Sequence, residues 1–154
     1  CDDKAIVAHV GDSRLYRLRG EEFVALTHDD SVLQEQIDRG LMTAKEARPA
    51  LNRNLVTRAI GVDPDVEAEI HVYPVRAGDV YLLCSDGLYD MVEEEEIQHV
   101  LEMSGANLDL SAMQLIKIAN DNGGEDNISV AVVKVLREFP AARGGWSKLW
   151  SWLN

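Results

Sequence analysis

Five consecutive apolar residues, Val80-Tyr81-Leu82-Leu83-Cys84, stand between the turn pairs Gly78-Asp79 and Asp86-Gly87. A run this short and apolar at every position fits neither an amphipathic helix nor a half-exposed strand. It predicts a central β-strand, apolar on both faces, around which the rest of the chain must be arranged. The flanking pattern supplies partners. Residues 4–10, 14–19 and 23–26 are short β-type runs separated by Gly11-Asp12-Ser13 and Gly20-Glu21-Glu22, which predicts an antiparallel meander. Residues 66–75 alternate apolar and polar side chains with period 2, as a half-buried strand does. Residues 128–136 are almost continuously apolar, which predicts a buried final strand.

Helical signals fall between these strands. Ser31 caps a pattern in which Val32, Leu33, Gln36 and Ile37 share a face, and Gly40 ends it. Thr43 and Glu46 form a capping-box pair for a short helix closed by Pro49. Four acids at 93–96 favour a helix N-terminus, and the helix to Met103 would bury Ile97, Val100 and Leu101. A second helical stripe over 111–120 uses Met113, Ile116 and Ile118. Hairpins alternating with segregated helices indicate an α+β fold with antiparallel sheets, not a βαβ repeat.

The 154 residues carry 27 Asp and Glu against 15 Lys and Arg, a net charge of −12. Such a surface repels phosphate backbones and argues against nucleic-acid binding. No apolar run reaches the roughly 20 residues of a transmembrane helix. Two cysteines make no disulfide framework, and Cys84 reads as a small buried hydrophobe. Cys1 admits a lipidated N-terminus, but the strand pattern begins almost at once with no tether, so a chain cut from a longer protein is the better account. From about residue 138 the pattern breaks at Pro140 to Gly145. The tail beyond it places Trp146, Leu149, Trp150 and Leu153 at helical spacing, either to fold back on the domain or to dock elsewhere.

Three aspartates stand at turns beside predicted strands: Asp12 in Gly11-Asp12-Ser13, Asp86 in Ser85-Asp86-Gly87 and Asp126 in Glu125-Asp126-Asn127. Any one alone reads as a solvated turn residue. Two of them lie at the ends of apolar, central strands, so their carboxylates could meet at one rim of a sheet. Crowded carboxylates need protons or cations, and an oxygen-only donor set favours hard ions such as Mg²⁺ or Mn²⁺. The histidines offer no such pattern: His9 and His71 lie in strand runs, His28 and His99 form no Ser-His-Asp order, and Ser85 has no base partner in sequence.

Five ordered segments resemble one family. Val10-Gly11-Asp12-Ser13-Arg14, Leu26-Thr27-His28-Asp29-Asp30-Ser31, Thr57-Arg58-Ala59-Ile60-Gly61, Leu82 to Leu88 and Asp126-Asn127-Ile128-Ser129-Val130 look like motifs of the metal-dependent (PPM, type-2C) serine/threonine protein phosphatases, nearest to the bacterial branch. The resemblance implies an αββα fold, two antiparallel sheets face to face with helices outside each. It implies hydrolysis of phosphoserine and phosphothreonine by a water activated between two Mn²⁺ or Mg²⁺ ions. It makes Asp86 and Asp126 ligands of that centre, pairs Asp12 with Asp86 around a third, weaker ion, and gives Asn127 and Gly87 supporting roles. Residues 38–56 match the flap beside the active site. The resemblance places residues 1–137 in the C-terminal portion of the domain and 138–154 in a linker and tail. It implies a cytoplasmic enzyme acting on the substrates of a Ser/Thr kinase and on the kinase itself. The family's Asp-Gly-x-Gly-Gly segment and its phosphate-gripping arginine are expected before residue 1, so this chain by itself is expected to be inactive. Asp30 stands where the family usually carries His. A truncated or non-catalytic regulatory domain of the same fold is the alternative, and an acidic cation-binding module is a third reading.

Overall fold

The computed structural model describes residues 3–47, 50, 55–62, 64–105 and 107–137. Its strands are β1 (Lys4–His9), β2 (Arg14–Arg19), β3 (Glu22–Ala25), β4 (Glu69–Pro74), β5 (Val80–Cys84) and β6 (Val130–Lys134). Its helices are α1 (Val32–Asp38), α2 (Ala44–Ala47), α3 (Asp86–Tyr89), α4 (Glu94–Met103) and α5 (Leu108–Asp121). One sheet has the order β3-β2-β5-β6, and a second consists of β1 and β4; every pairing is antiparallel.

The expected central strand is central, with β5 between β2 and β6. The expected meander is only half present. β2 and β3 form the hairpin, whereas β1 leaves it to pair with β4, Lys4 opposite Pro74 and His9 opposite Glu69. The turn at Gly11-Asp12-Ser13 therefore crosses from one sheet to the other, with Gly11 at φ +100° reversing the path. β4 is shorter than the alternating pattern because its partner β1 has only six residues to pair.

Helices α3, α4 and α5 back the four-stranded sheet. Tyr16, Leu18, Val80, Leu82 and Cys84 project from the strands into a core closed by Leu88, Ile97, Leu101 and Leu115. Each fully buried side chain of this size contributes about 1.5–3 kcal/mol, so this layer dominates the fold's stability. α4 buries Ile97, Val100 and Leu101 as its spacing dictates. α5 departs from the expected stripe at Met113: Ser111, Leu115 and Ala119 at i, i+4, i+8 face inward, Ile118 packs partly buried against the core, and Met113 is left 69% exposed. Small residues win this face because they let the helix approach the sheet closely. At the helix starts, the Ser31 hydroxyl accepts from Gln34 N–H at 3.1 Å. The Thr43–Glu46 box closes through Thr43 N–H to the Glu46 carboxylate at 2.8 Å. Pro49 lies outside the described residues, as does the tryptophan tail.

The opposite face of the four-stranded sheet is less covered. Leu83 is 45% and Val133 51% exposed, so β6 is a half-open edge strand and not the buried one its composition suggests. Side chains of β1 face Leu15, Leu83 and Ala131 across a cavity of about 670 Å³. Beyond it, Ile6, Ile70 and Val72 stand exposed on the two-stranded sheet. No helix among the described residues is long and apolar enough to cross a membrane.

Candidate metal-binding rim

Register brings the three aspartate turns to one edge. Arg14 opens β2 opposite Cys84, which closes β5, and Cys84 pairs in turn with Val130, which opens β6. Asp12 precedes β2, Asp86 follows β5 and Asp126 precedes β6, so all three leave the sheet on the same side. Burial first, and then the neighbouring Asp86 carboxylate, push the Asp12 carboxyl above the ordinary carboxylate range. Two acids placed so that one opposes ionisation of the other form a site awaiting positive charge.

The Asp86 and Asp126 turns are locked together by backbone contact. Gly87 lies directly against residues 126–127; a Cβ there would stand 2.5 Å from the Asn127 carbonyl oxygen and 3.4 Å from the Asp126 carbonyl carbon. Ser85 bridges the same gap: its hydroxyl donates to Asn127 O at 2.9 Å and accepts from Ser129 N–H at 3.0 Å. Each aspartate is also held by its own turn, Asp86 by Gly87 N–H at 2.8 Å and Asp126 by Asn127 N–H at 2.6 Å. Ser85 thus clasps two loops and is no nucleophile. Sequence reading missed that role because its partners lie more than 40 residues away.

Next to the rim, a cavity of about 340 Å³ is lined by Asp12, Asp29, Asp86, Tyr89 and Glu94, together with Arg14. The Arg14 guanidinium is committed in several directions at once. It grips Asp29 with Nε at 3.0 Å and Nη2 at 2.7 Å, donates to Tyr16 Oη at 3.1 Å, and lies 3.7 Å over the Tyr89 ring. Burial opposes its charge, yet Asp29 more than compensates and holds its pKa above the ordinary value. An arginine so engaged is not free to bind a substrate phosphate. Tyr89 donates to the Asp12 carbonyl at 2.9 Å, and burial raises its phenol pKa so that it remains a donor. Arg14 and Asp29 fall inside two of the quoted motifs, but neither their pairing nor the part played by Tyr89, just after a third, carries a local sequence signal.

Among the described residues no three His, Cys, Asp or Glu side chains converge as a metal-binding group. The all-oxygen donors of the rim fit a hard divalent cation in chemistry, but among the described residues they amount to part of a coordination shell. Asp12 and Asp86 are the pair the structure brings into electrostatic contact. Asp126 is aligned on the same edge and fixed to Gly87.

The same architecture occurs in known proteins. The chain is 37% identical over 137 residues to protein phosphatase PhpP of Streptococcus pneumoniae, covering 89% of this chain and 55% of that protein. The crystal structure of the Mycobacterium tuberculosis serine/threonine phosphatase PstP superposes with a TM-score of 0.80 at 40% identity, over 88% of this chain and 56% of that one. The chain is a homologue of the bacterial PPM serine/threonine phosphatases over most of its length. No family model matches it. It spans about half the length of relatives such as PhpP. The catalytic domain of PstP in complex with two manganese ions superposes with a TM-score of 0.79 at 38% identity, over 88% of this chain and 55% of that one. The expected PPM fold is therefore present as a partial domain, with antiparallel sheets and a helix layer on the four-stranded sheet.

Proposed function

We propose that this chain is the metal-binding C-terminal portion of a protein phosphatase that hydrolyses phosphoserine and phosphothreonine in proteins. The carrying observation is the common rim: Asp12, Asp86 and Asp126 leave one sheet edge, with the latter two turns locked by Gly87 and Ser85. Asp86 and Asp126 would hold the Mn²⁺ or Mg²⁺ pair, and Asp12 with Asp86 the weaker third ion. Bound there, such ions lower the pKa of a coordinated water and neutralise charge on the phosphoryl oxygens. The protein's own contribution is to keep the carboxylates in place. Gly87 lets the two turns touch, Asn127 fills the second of them, and Tyr89 with Arg14 walls the adjoining cavity. Manganese in the related PstP domain supports the choice of metal.

Residues 1–137 form this portion, 38–56 the flap beside it and 138–154 a linker and tail. The remaining ligands and the phosphate-binding arginine come from parts of the parent protein outside these 154 residues. That division is supported by the half-length match to PhpP. The substrates are phosphoproteins made by a Ser/Thr kinase and the kinase itself, in the cytoplasm. The decisive experiment is Mn²⁺-dependent hydrolysis of a phosphothreonine peptide by the parent protein. Asp86→Asn and Asp126→Asn should each abolish it; an unchanged rate in either would refute the ligand assignment. That no three acids converge among the described residues favours one second reading, in which the parent is a non-catalytic regulatory domain. Absence of any metal-stimulated hydrolysis by the parent protein, with Mn²⁺ still bound, would establish that reading.

A further inference from the structure

Asp30, the residue that departs from the family pattern, is buried and joins three segments that are far apart in sequence. Its backbone N–H donates to Gly11 O at 2.8 Å, and its carbonyl accepts from Thr57 N–H at 2.7 Å. One carboxylate oxygen accepts from Gly11 N–H at 3.0 Å. The other accepts from Arg58 Nε at 2.9 Å and from Arg58 Nη2. Both backbone polar groups of Gly11, its N–H and its carbonyl, are thereby held by one residue, and Gly11 has the positive φ that aims the next residue, Asp12. Val32 N–H to Leu55 O at 2.9 Å and the bridge between Ser31 and Val56 fasten the same two strips of chain on the other side.

We propose that Asp30 and Arg58 form a positioning clamp for the Asp12 turn, setting the affinity of the weaker cation and tying it to segment 55–58. The inference rests on the metal assignment made above. Neither residue touches the cation; both act through the Gly11 peptide. The chemistry requires a carboxylate. A neutral imidazole has a single acceptor nitrogen and cannot serve Gly11 N–H and a guanidinium together. Asparagine keeps one acceptor and turns an amide donor towards another donor. Arg58 is the matching half: without it, the buried Asp30 carboxylate would lose its ion-pair partner and keep only the Gly11 N–H.

The test is isothermal titration calorimetry of the parent protein with Mn²⁺, comparing wild type with Arg58→Gln, Arg58→Lys and Asp30→Asn. Thermal unfolding is measured in parallel. Removing outer partners of ligands costs about 10–100-fold in metal affinity, so Arg58→Gln and Asp30→Asn should weaken the weaker Mn²⁺ phase about tenfold. The tighter phase should stay within about twofold, since Asp86 and Asp126 are held by Gly87 and Ser85 instead. Arg58→Lys, which keeps the charge without the two-pronged grip, should recover part of the loss. If the Asp30 variant does not fold, Arg58→Gln carries the test, because the Arg58 side chain is near the surface. A lowered melting temperature with the weaker phase unchanged would overturn the proposal and leave the pair as simple loop glue. Asp12→Asn is the control: if it spares the weaker phase, the metal assignment itself fails; if it alone removes that phase, only the clamp fails.

Discussion

Replacing Gly87 by alanine should be destabilising even though it sits in a helix, where alanine is ordinarily better by about 1 kcal/mol. Gly87 does not need glycine's backbone freedom, since only space is at issue. The added methyl would meet the Asn127 carbonyl oxygen at 2.5 Å and its carbon at 3.0 Å, both backbone atoms. Relief requires the 126–127 loop to retreat by a large fraction of an ångström. That carbonyl, however, is the acceptor of the Ser85 hydroxyl at 2.9 Å, and Ser85 also receives Ser129 N–H at 3.0 Å. Overpacking of this kind costs about 1–3 kcal/mol, and weakening the clasp adds about 1 kcal/mol. Set against the helix-propensity gain, the net loss is about 1–3 kcal/mol. For a chain of this size that is a drop in melting temperature of about 2–12 °C. Differential scanning calorimetry measures it, and Mn²⁺ titration of the parent protein should weaken in step because Asp126 moves with the loop. Unchanged or increased stability, as at an unobstructed helical glycine, would refute the close-packing argument.

Three further outcomes follow from individual groups. Asp79 is buried, and burial alone would raise its pKa. The paired Arg19 contacts at 2.7 Å and Arg76 N–H at 2.8 Å outweigh that and hold it below the usual value. A depressed carboxylate stabilises the fold above its unfolded pKa, near 4, and loses that contribution as pH falls through the lower folded pKa. Asp79→Asn should therefore cost about 2 kcal/mol at pH 7 and flatten the acid limb of denaturant-measured stability below about pH 4. Ser85→Ala removes both hydrogen bonds of the clasp, and urea unfolding should show a loss of about 1–2 kcal/mol. The Cys84 thiol is buried, and burial pushes its pKa up to about 12, so a maleimide probe at pH 8 should modify it only after denaturation, as read by mass spectrometry.

What could be read from the sequence was whatever depends on local pattern. The apolar run of β5, the Ser31 cap, the Thr43–Glu46 box and the inward face of α4 follow from spacing alone, and each stands as expected. The misreadings share a cause. Pairing β1 with β4, not with β2, is decided by a partner some 60 residues on. The inward face of α5 is set by how closely a helix can approach the sheet, which favours Ser111 and Ala119 over the larger Met113. The openness of β6 reflects what does not cover it. The candidate site divides in the same way. Its aspartates are visible as turn residues in motifs. The pieces that fix them, Ser85 across to Asn127 and Asp30 across to Arg58, are long-range contacts without a local signature.

The three aspartates are also held by different means, and this predicts how the rim responds to stress. Asp86 and Asp126 hang from β5 and β6, backed by the core of Leu82, Leu88 and Leu115, and their turns are fused by a glycine contact that leaves no slack. Asp12 hangs from the passage between the two sheets, where support comes from single polar contacts: Tyr89 to its carbonyl, and Asp30 to the preceding peptide. Helix-backed strands open only at free energies near that of global unfolding, whereas loops held by a few hydrogen bonds open locally at far lower cost. Amide exchange should accordingly be slow through 82–89 and faster at 11–13. A ligand completed by Asp12 would then be the first lost when the fold is loosened, with the Asp86–Asp126 pair persisting until the helix layer itself separates from the sheet.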